Sequence, residues 1–188
     1  MSRPHYFIAI PIPTEISERF EQCKLKAEQT YPFRTWVHKE DYHITLAFLG
    51  DASSSQLNDV KQAMGQIAEV HYAFSLRLDS VSTFGQPFSP RILWKGVREE
   101  PRLHMMQQDV YNACTCIGFS LEKRPFKPHI TIARKWQGEN KFDIEGINSI
   151  FNDIGKNKSF LVDRIVLYRT HLDRIPKYET LSVSLLSR

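Results

Sequence analysis

The chain writes nearly the same phrase twice, "HITLA" at residues 43–47 and "HITIA" at residues 129–133. Both copies alternate polar and apolar letters, the period of a half-buried strand. Residues two apart on a strand share a face, so His43 goes with Thr45 and His129 with Thr131. Ile44, Leu46, Ile130 and Ile132 turn the other way, into a core. Each phrase therefore predicts one imidazole and one hydroxyl side by side on a rigid element. With 7 His and 9 Thr in 188 residues, composition alone supplies about 0.3 His-x-Thr matches. Two matches that both run on as His-Ile-Thr-apolar-Ala exceed that expectation.

Outward from the first phrase, "HYFIAIPI" (5–12) reads as a buried strand. Thr14, after Pro13, reads as the cap of a helix whose apolar face is Ile16, Phe20, Cys23 and Ala27. "RTWV" (34–37) is a short strand, and Gly50 closes the strand of the first phrase. A second helix over 53–70 turns Leu57, Val60, Met64 and Ile67 to one side. "YAFSLRLDSVSTF" (72–84) alternates as a strand exposed on one face, and "RILWKGV" (91–97) is another. A third helix carries Leu103, Met106, Val110, Ala113 and Ile117, with Gly118 suiting its C-terminus. A weaker helix over 142–154 follows the second phrase. "FLVDRIVLYRT" (160–170) and "YETLSVSLLS" (178–187) finish as strands, paired as a hairpin across "HLDRIPK" (171–177). Interleaved helices and closely spaced strands give the α+β class. The order strand, helix, phrase, helix recurs and no linker divides the chain. The expectation is one two-lobed domain over 1–188, with one motif per lobe at 43–46 and 129–132.

Apolar content of 41% and aromatic content of 12% predict a globular protein. No apolar run reaches the roughly 18 residues of a membrane span. The opening "MSRPHYFIAIPIP" is broken by Pro11 and Pro13 and lacks the longer apolar region of a secretory signal. Three cysteines, Cys23, Cys114 and Cys116, suit a reduced cytoplasm. The expectation is thus a cytoplasmic protein, a monomer by default. A formal charge of +4 favours anionic partners, nucleic acid included, without proving one.

If the two lobes face each other, two imidazoles and two hydroxyls converge. Imidazoles titrate near neutral pH and can divide general acid and general base work. Hydroxyls can donate to the charged oxygens of a phosphoryl group, where hydrogen bonds are strong. Opening a phosphodiester needs a base for water, an acid for the leaving oxygen and donors for the equatorial charge. The inventory fits without a metal or other cofactor. A zinc site needs three or four ligands at metal spacing, and no Cys/His cluster offers them. Two readings stand for Arg134: a cation for the phosphate, or a solvated residue at the strand end. Parity places it opposite His129. Phe126 and Lys127 offer a ring and a cation to a nucleotide, but a core Phe and a solvated Lys are the plainer reading. Trp94 reads as core. Tyr168 and Arg169, at another strand end, are weak candidates for lining the cleft.

The two His-x-Thr-x strands, with "HYFIAIPIP", the "WV" five residues before "HITLAFLG", "RILWKGV" and "KPHITIAR", resemble the LigT-like RNA 2',3'-cyclic phosphodiesterases of the two-histidine phosphoesterase superfamily. The resemblance covers nearly the whole chain. It implies a bilobal fold, two mainly antiparallel sheets flanked by helices around a central cleft. It implies hydrolysis, without a metal, of 2',3'-cyclic phosphate ends of RNA or nucleotides to 2'-phosphomonoesters, with 2'-5' ligation as the reverse. It assigns His43 as proton donor and His129 as proton acceptor, with Thr45, Thr131 and Arg134 on the phosphate. Two other readings stay open: a phosphodiesterase for another cyclic nucleotide or a 2'-5' oligonucleotide, and a non-catalytic module that binds RNA ends.

Overall fold

The alternating segments become strands that pair in one continuous order. The computed structural model describes residues 4–152, 154 and 158–188. Its strands are β1 (His5–Pro11), β2 (Phe33–Trp36), β3 (His43–Gly50), β4 (Phe74–Gln86) and β5 (Ser89–Val97). They continue with β6 (His129–Trp136), β7 (Ser159–Val162), β8 (Arg164–Thr170) and β9 (Tyr178–Leu185). The helices are α1 (Thr14–Ala27), α2 (Ser54–Val70), α3 (Pro101–Cys116) and α4 (Ile144–Asn152). The strand order is β7-β4-β5-β6-β3-β1-β8-β9, with β2 also on β6. Every pairing between these strands is antiparallel.

The two expected sheets are two halves of this single path. One half ends on β3 and the other on β6, so each half carries one phrase. They join through one residue pair, Ile44 with Ile130. The cause is β2, which takes the β6 edge from Ala133 to Trp136. On the other side of Ile44 the carbonyl of Leu46 is taken by the side chain of Gln107, at 3.3 Å. The two motif strands touch at one point and part on either side of it.

One face of the sheet is apolar and carries the helices. Ile8, Ile10, Ile44, Ile130, Ile165 and Leu167 pack with Phe20 of α1, Met64 of α2, Met106 of α3 and Phe151 of α4. Phe7, Ala9, Trp94 and Val166 are also buried but stand outside that core, on the opposite face. Among the described residues no helix is long and apolar enough to cross a membrane.

Local signals explain most of the helix ends. Ser53 caps α2 in a capping box with Gln56. Gly118, at φ 102°, takes the left-handed position after α3. Two expectations are corrected. Thr14 lies inside α1: the cap is Pro13, with no side-chain cap bond. The segment 160–170 is two strands separated by Asp163: β7 pairs with β4 and β8 with β1, so the chain changes halves there. Residue 153 of the weaker helix lies outside the described residues.

The Ile44–Ile130 contact is a stability prediction. Both side chains are fully buried, and truncating a buried Ile costs about 2–5 kcal/mol. Ile44→Ala or Ile130→Ala is expected to lose that amount in denaturant unfolding. Leu161→Ala, at a site 55% exposed, serves as a control expected to lose under about 0.5 kcal/mol. Equal losses at all three sites would contradict the joint.

Candidate active site

The fourth letter of each phrase is a β-bulge. On β3, Ile8 opposes Ala47 and Ala9 opposes Thr45, so Leu46 is extra. On β6, Leu93 opposes Ala133 and Trp94 opposes Thr131, so Ile132 is extra. One extra residue reverses the alternation downstream. Arg134, placed by simple parity on the far side, returns to the face of His129 and Thr131. It also lies inside β6, which continues to Trp136. The same device on β3 brings Phe48 back to the face of His43 and Thr45.

Both histidines stand on this open face, one residue from the Ile44–Ile130 joint. Their rings are held alike. The Nδ1–H of His43 donates to the Asp41 carbonyl at 2.7 Å, and that of His129 to the Lys127 carbonyl at 2.7 Å. A carbonyl only accepts, so Nδ1 carries the proton and Nε2 keeps its lone pair. Neither Nε2 has a protein partner among the described residues, nor does the hydroxyl of Thr45 or Thr131. These four groups are free to meet a ligand.

Each imidazole sits in an aromatic seat from its own half. His43 lies 4.8 Å from Phe7, 5.1 Å from Tyr178 and 6.3 Å from Tyr168 between ring centroids. His129 lies 5.0 Å from Phe84, edge to face, and 5.8 Å from Trp94. Burial among these rings disfavours the charged imidazole. It pulls the His43 pKa down to about 4, against the Asp41 carbonyl and with added repulsion from Arg134 and His129. His129 is lowered as well, by burial first, with Arg134 and Lys127 adding and the Lys127 carbonyl opposing. The charge of Arg134 is felt at both rings, so the two halves share one electrostatic site.

Arg134 also links the halves electrostatically: its charge acts on Tyr178 of β9, opposing the upward push that burial gives that phenol. Tyr178 is fixed in turn by Asp41. The buried Asp41 carboxylate accepts from the backbone N–H of Lys177 at 3.0 Å and of Tyr178 at 3.2 Å. Asp41 thus orients His43 through its carbonyl and Tyr178 through its side chain.

The face holds residues the sequence passed over. Phe7, Phe84 and Tyr178 carry no motif, and their roles depend on which strands become neighbours. The alternation of "HYFIAIPI" marks Phe7 and Ala9 as one face, and that was the available signal. Trp94 is buried as expected, yet against His129 instead of in the main core. Tyr168 reaches His43, whereas Arg169 opposes the buried Tyr6 on the other face. Phe126 packs against the core and the His104 ring, at 5.4 Å, in keeping with its plainer reading. Among the described residues no group of three or more His, Cys, Asp or Glu could hold a metal ion. A separate cavity of about 620 Å³ lies between the end of β1, the start of α1 and β7, and none of the motif residues lines it.

A family model described as the 2'-5' RNA ligase superfamily matches residues 12–174, which include both phrases. An RNA 2',3'-cyclic phosphodiesterase of Geobacillus stearothermophilus is 48% identical over 182 residues, 97% of this chain; the match spans 57% of that relative's length. One of Bacillus subtilis (strain 168) is 37% identical over 177 residues, 94% of this chain and 93% of the relative. The solved structure of E. coli LigT complexed with 3'-AMP aligns with a TM-score of 0.79 and 26% identity, covering 99% of this chain and 100% of that one. With both phrases on one open face of the sheet and likeness at this level over nearly its whole length, the chain belongs to the 2'-5' RNA ligase superfamily and, within it, to the LigT-like RNA 2',3'-cyclic phosphodiesterases.

Proposed function

We propose that this protein opens the 2',3'-cyclic phosphate at the 3' end of RNA, leaving a 2'-phosphomonoester, without a metal. One observation carries the reading: two imidazoles, pinned alike through Nδ1, leave both Nε2 atoms and two threonine hydroxyls without a partner among the described residues, on one face. In the reaction the cyclic phosphate lies between the halves. His129 Nε2 takes a proton from water as the water oxygen bonds to phosphorus. His43, protonated on Nε2, gives its proton to the 3'-oxygen as the P–O3' bond breaks. Thr45, Thr131 and Arg134 meet the equatorial oxygens, where charge builds up. With a 5'-hydroxyl in place of water the same groups join RNA ends: the 5'-oxygen bonds to phosphorus as His129 takes its proton, and the P–O3' bond breaks as His43 protonates the 3'-oxygen, leaving a 2'-5' linkage. The reading takes the chain as one two-lobed domain, active as a cytoplasmic monomer.

The test is incubation with a nucleoside 2',3'-cyclic phosphate in excess EDTA, followed by separation of the 2'- and 3'-phosphomonoesters. Undiminished turnover to the 2'-isomer is expected. A 3'-isomer, or turnover lost with the chelator, contradicts the mechanism. A module that only binds RNA ends shows no turnover at all.

A further inference from the structure

The two ends of the cleft differ. At one end the charge of Arg134 acts on Tyr178, and β2 fills the β6 edge beside it. At the other end β3 and β6 are unpaired, and there the antiparallel register brings the continuation of β3 past Thr45 toward the residues that precede His129. Arg134 stands five residues after His129, and Phe48 stands five residues after His43. One end therefore carries a guanidinium and the other an aromatic ring that is 54% exposed. The His5 ring lies 5.7 Å from Phe48, edge-on.

Lys127 belongs to this second end. The residue is exposed, and its Nζ sits 4.8 Å above the Trp94 ring and 5.4 Å above the Phe84 ring. Both rings are the seat of His129. Aromatic faces attract an ammonium group and steady it without neutralising it. Among the described residues no carboxylate pairs with Lys127. A full positive charge is thus parked beside the general base, at the end where the strands part and a chain can leave.

We propose that Lys127 binds the phosphodiester on the 5' side of the terminal nucleotide, so that the cleft favours the end of an RNA strand over a free mononucleotide. The proposal rests on the hydrolase reading above and names the substrate feature that this end of the site recognises. The cyclic phosphate occupies the histidines, the terminal base covers the exposed Phe48 ring, and the next phosphate along the strand meets Nζ one ribose away. A nucleoside 2',3'-cyclic phosphate has no such group and leaves Lys127 on its rings. A charge-assisted contact of this kind also makes binding salt-dependent.

The experiment compares kcat/KM on two substrates, a nucleoside 2',3'-cyclic phosphate and a dinucleotide that ends in the same cyclic phosphate. Wild type, Lys127→Met and Lys127→Arg are measured at one pH. The ratio of dinucleotide to mononucleotide is the readout, because a misfolded fraction or a changed His129 pKa cancels in it. Wild type is expected to favour the dinucleotide by about tenfold. Lys127→Met is expected to bring the ratio near one, and Lys127→Arg to keep most of it. The slope of log kcat/KM against log salt on the dinucleotide becomes shallower by about 0.7 in the Met variant. If Lys127→Met lowers both substrates by the same factor, Lys127 acts only through His129 and the proposal is overturned. If wild type turns over neither substrate, the hydrolase reading itself has failed and the role of Lys127 falls with it.

Discussion

Replacing His43 or His129 by Ala is expected to lower kcat on a nucleoside 2',3'-cyclic phosphate by roughly a thousandfold, within the range known for general acids and bases. The geometry says why the loss is large for each. Among the described residues the other titratable groups beside the two rings are Tyr168, Tyr178, Arg134 and Lys127, and His5 stands off beside Phe48, so neither histidine has a substitute in place. The double variant His43→Ala/His129→Ala is expected to fall little further than the worse single one, because groups that act on one proton-transfer cycle are not additive. Folding is expected to survive, since neither ring belongs to the helix-covered core. Initial rates on the three variants, with far-UV circular dichroism as a check on the fold, settle the matter. A single variant that keeps a tenth of wild-type activity contradicts the two-histidine mechanism.

The second large effect belongs to Arg134. Arg134→Met is expected to lower kcat/KM by about a hundredfold, the scale of losing one donor to a developing phosphoryl charge. It also moves the pH profile. In the free protein both imidazoles titrate below the ordinary value, His43 near 4. The base must be neutral, so activity falls as pH drops through its lowered pKa. The acid must be protonated, so activity falls as pH rises through its own. Both limbs of kcat/KM are therefore displaced to the acid side, with the maximum below pH 6.5. The charge of Arg134 is one cause of the lowering at each ring. Removing it raises both pKa values, and both limbs shift to higher pH. Arg134→Lys keeps the charge but loses the planar fork, so it should lose rate with little shift. A Met variant whose profile does not move would show that Arg134 does not act on the histidines. In the substrate complex a phosphodiester anion lies between the rings and favours their charged forms. The profile of kcat is accordingly expected on the alkaline side of the profile of kcat/KM.

The histidines and threonines were legible because each phrase spells its own face: polar letters at the first and third places, apolar ones at the second and fourth. The placement of Arg134 was not legible by counting. Its signal was the pair of apolar letters in succession, Leu46-Ala47 and Ile132-Ala133, which break the alternation where the strands bulge. That cue is short and also reads as a fully buried step. The aromatic seats were hidden for another reason. Phe7 meets Tyr168 and Phe48 only because β1 lies between β8 and β3, an order that no local pattern encodes. The division of the sheet was hidden too. The sequence shows one apolar run from Phe160 to Tyr168 interrupted only by the adjacent pair Asp163 and Arg164. The chain crosses between halves at Asp163, between the end of β7 and the start of β8.

The shared site can be watched without turnover. In an NMR titration of the wild-type protein, the two imidazole Cε1–H signals are assigned with His43→Ala and His129→Ala and followed against pH, with and without a nucleoside 2'-phosphomonoester. Both pKa values are expected below 6.5 in the free protein, and both are expected to rise when the phosphate binds. If only one histidine responds, the two rings do not meet at one phosphate.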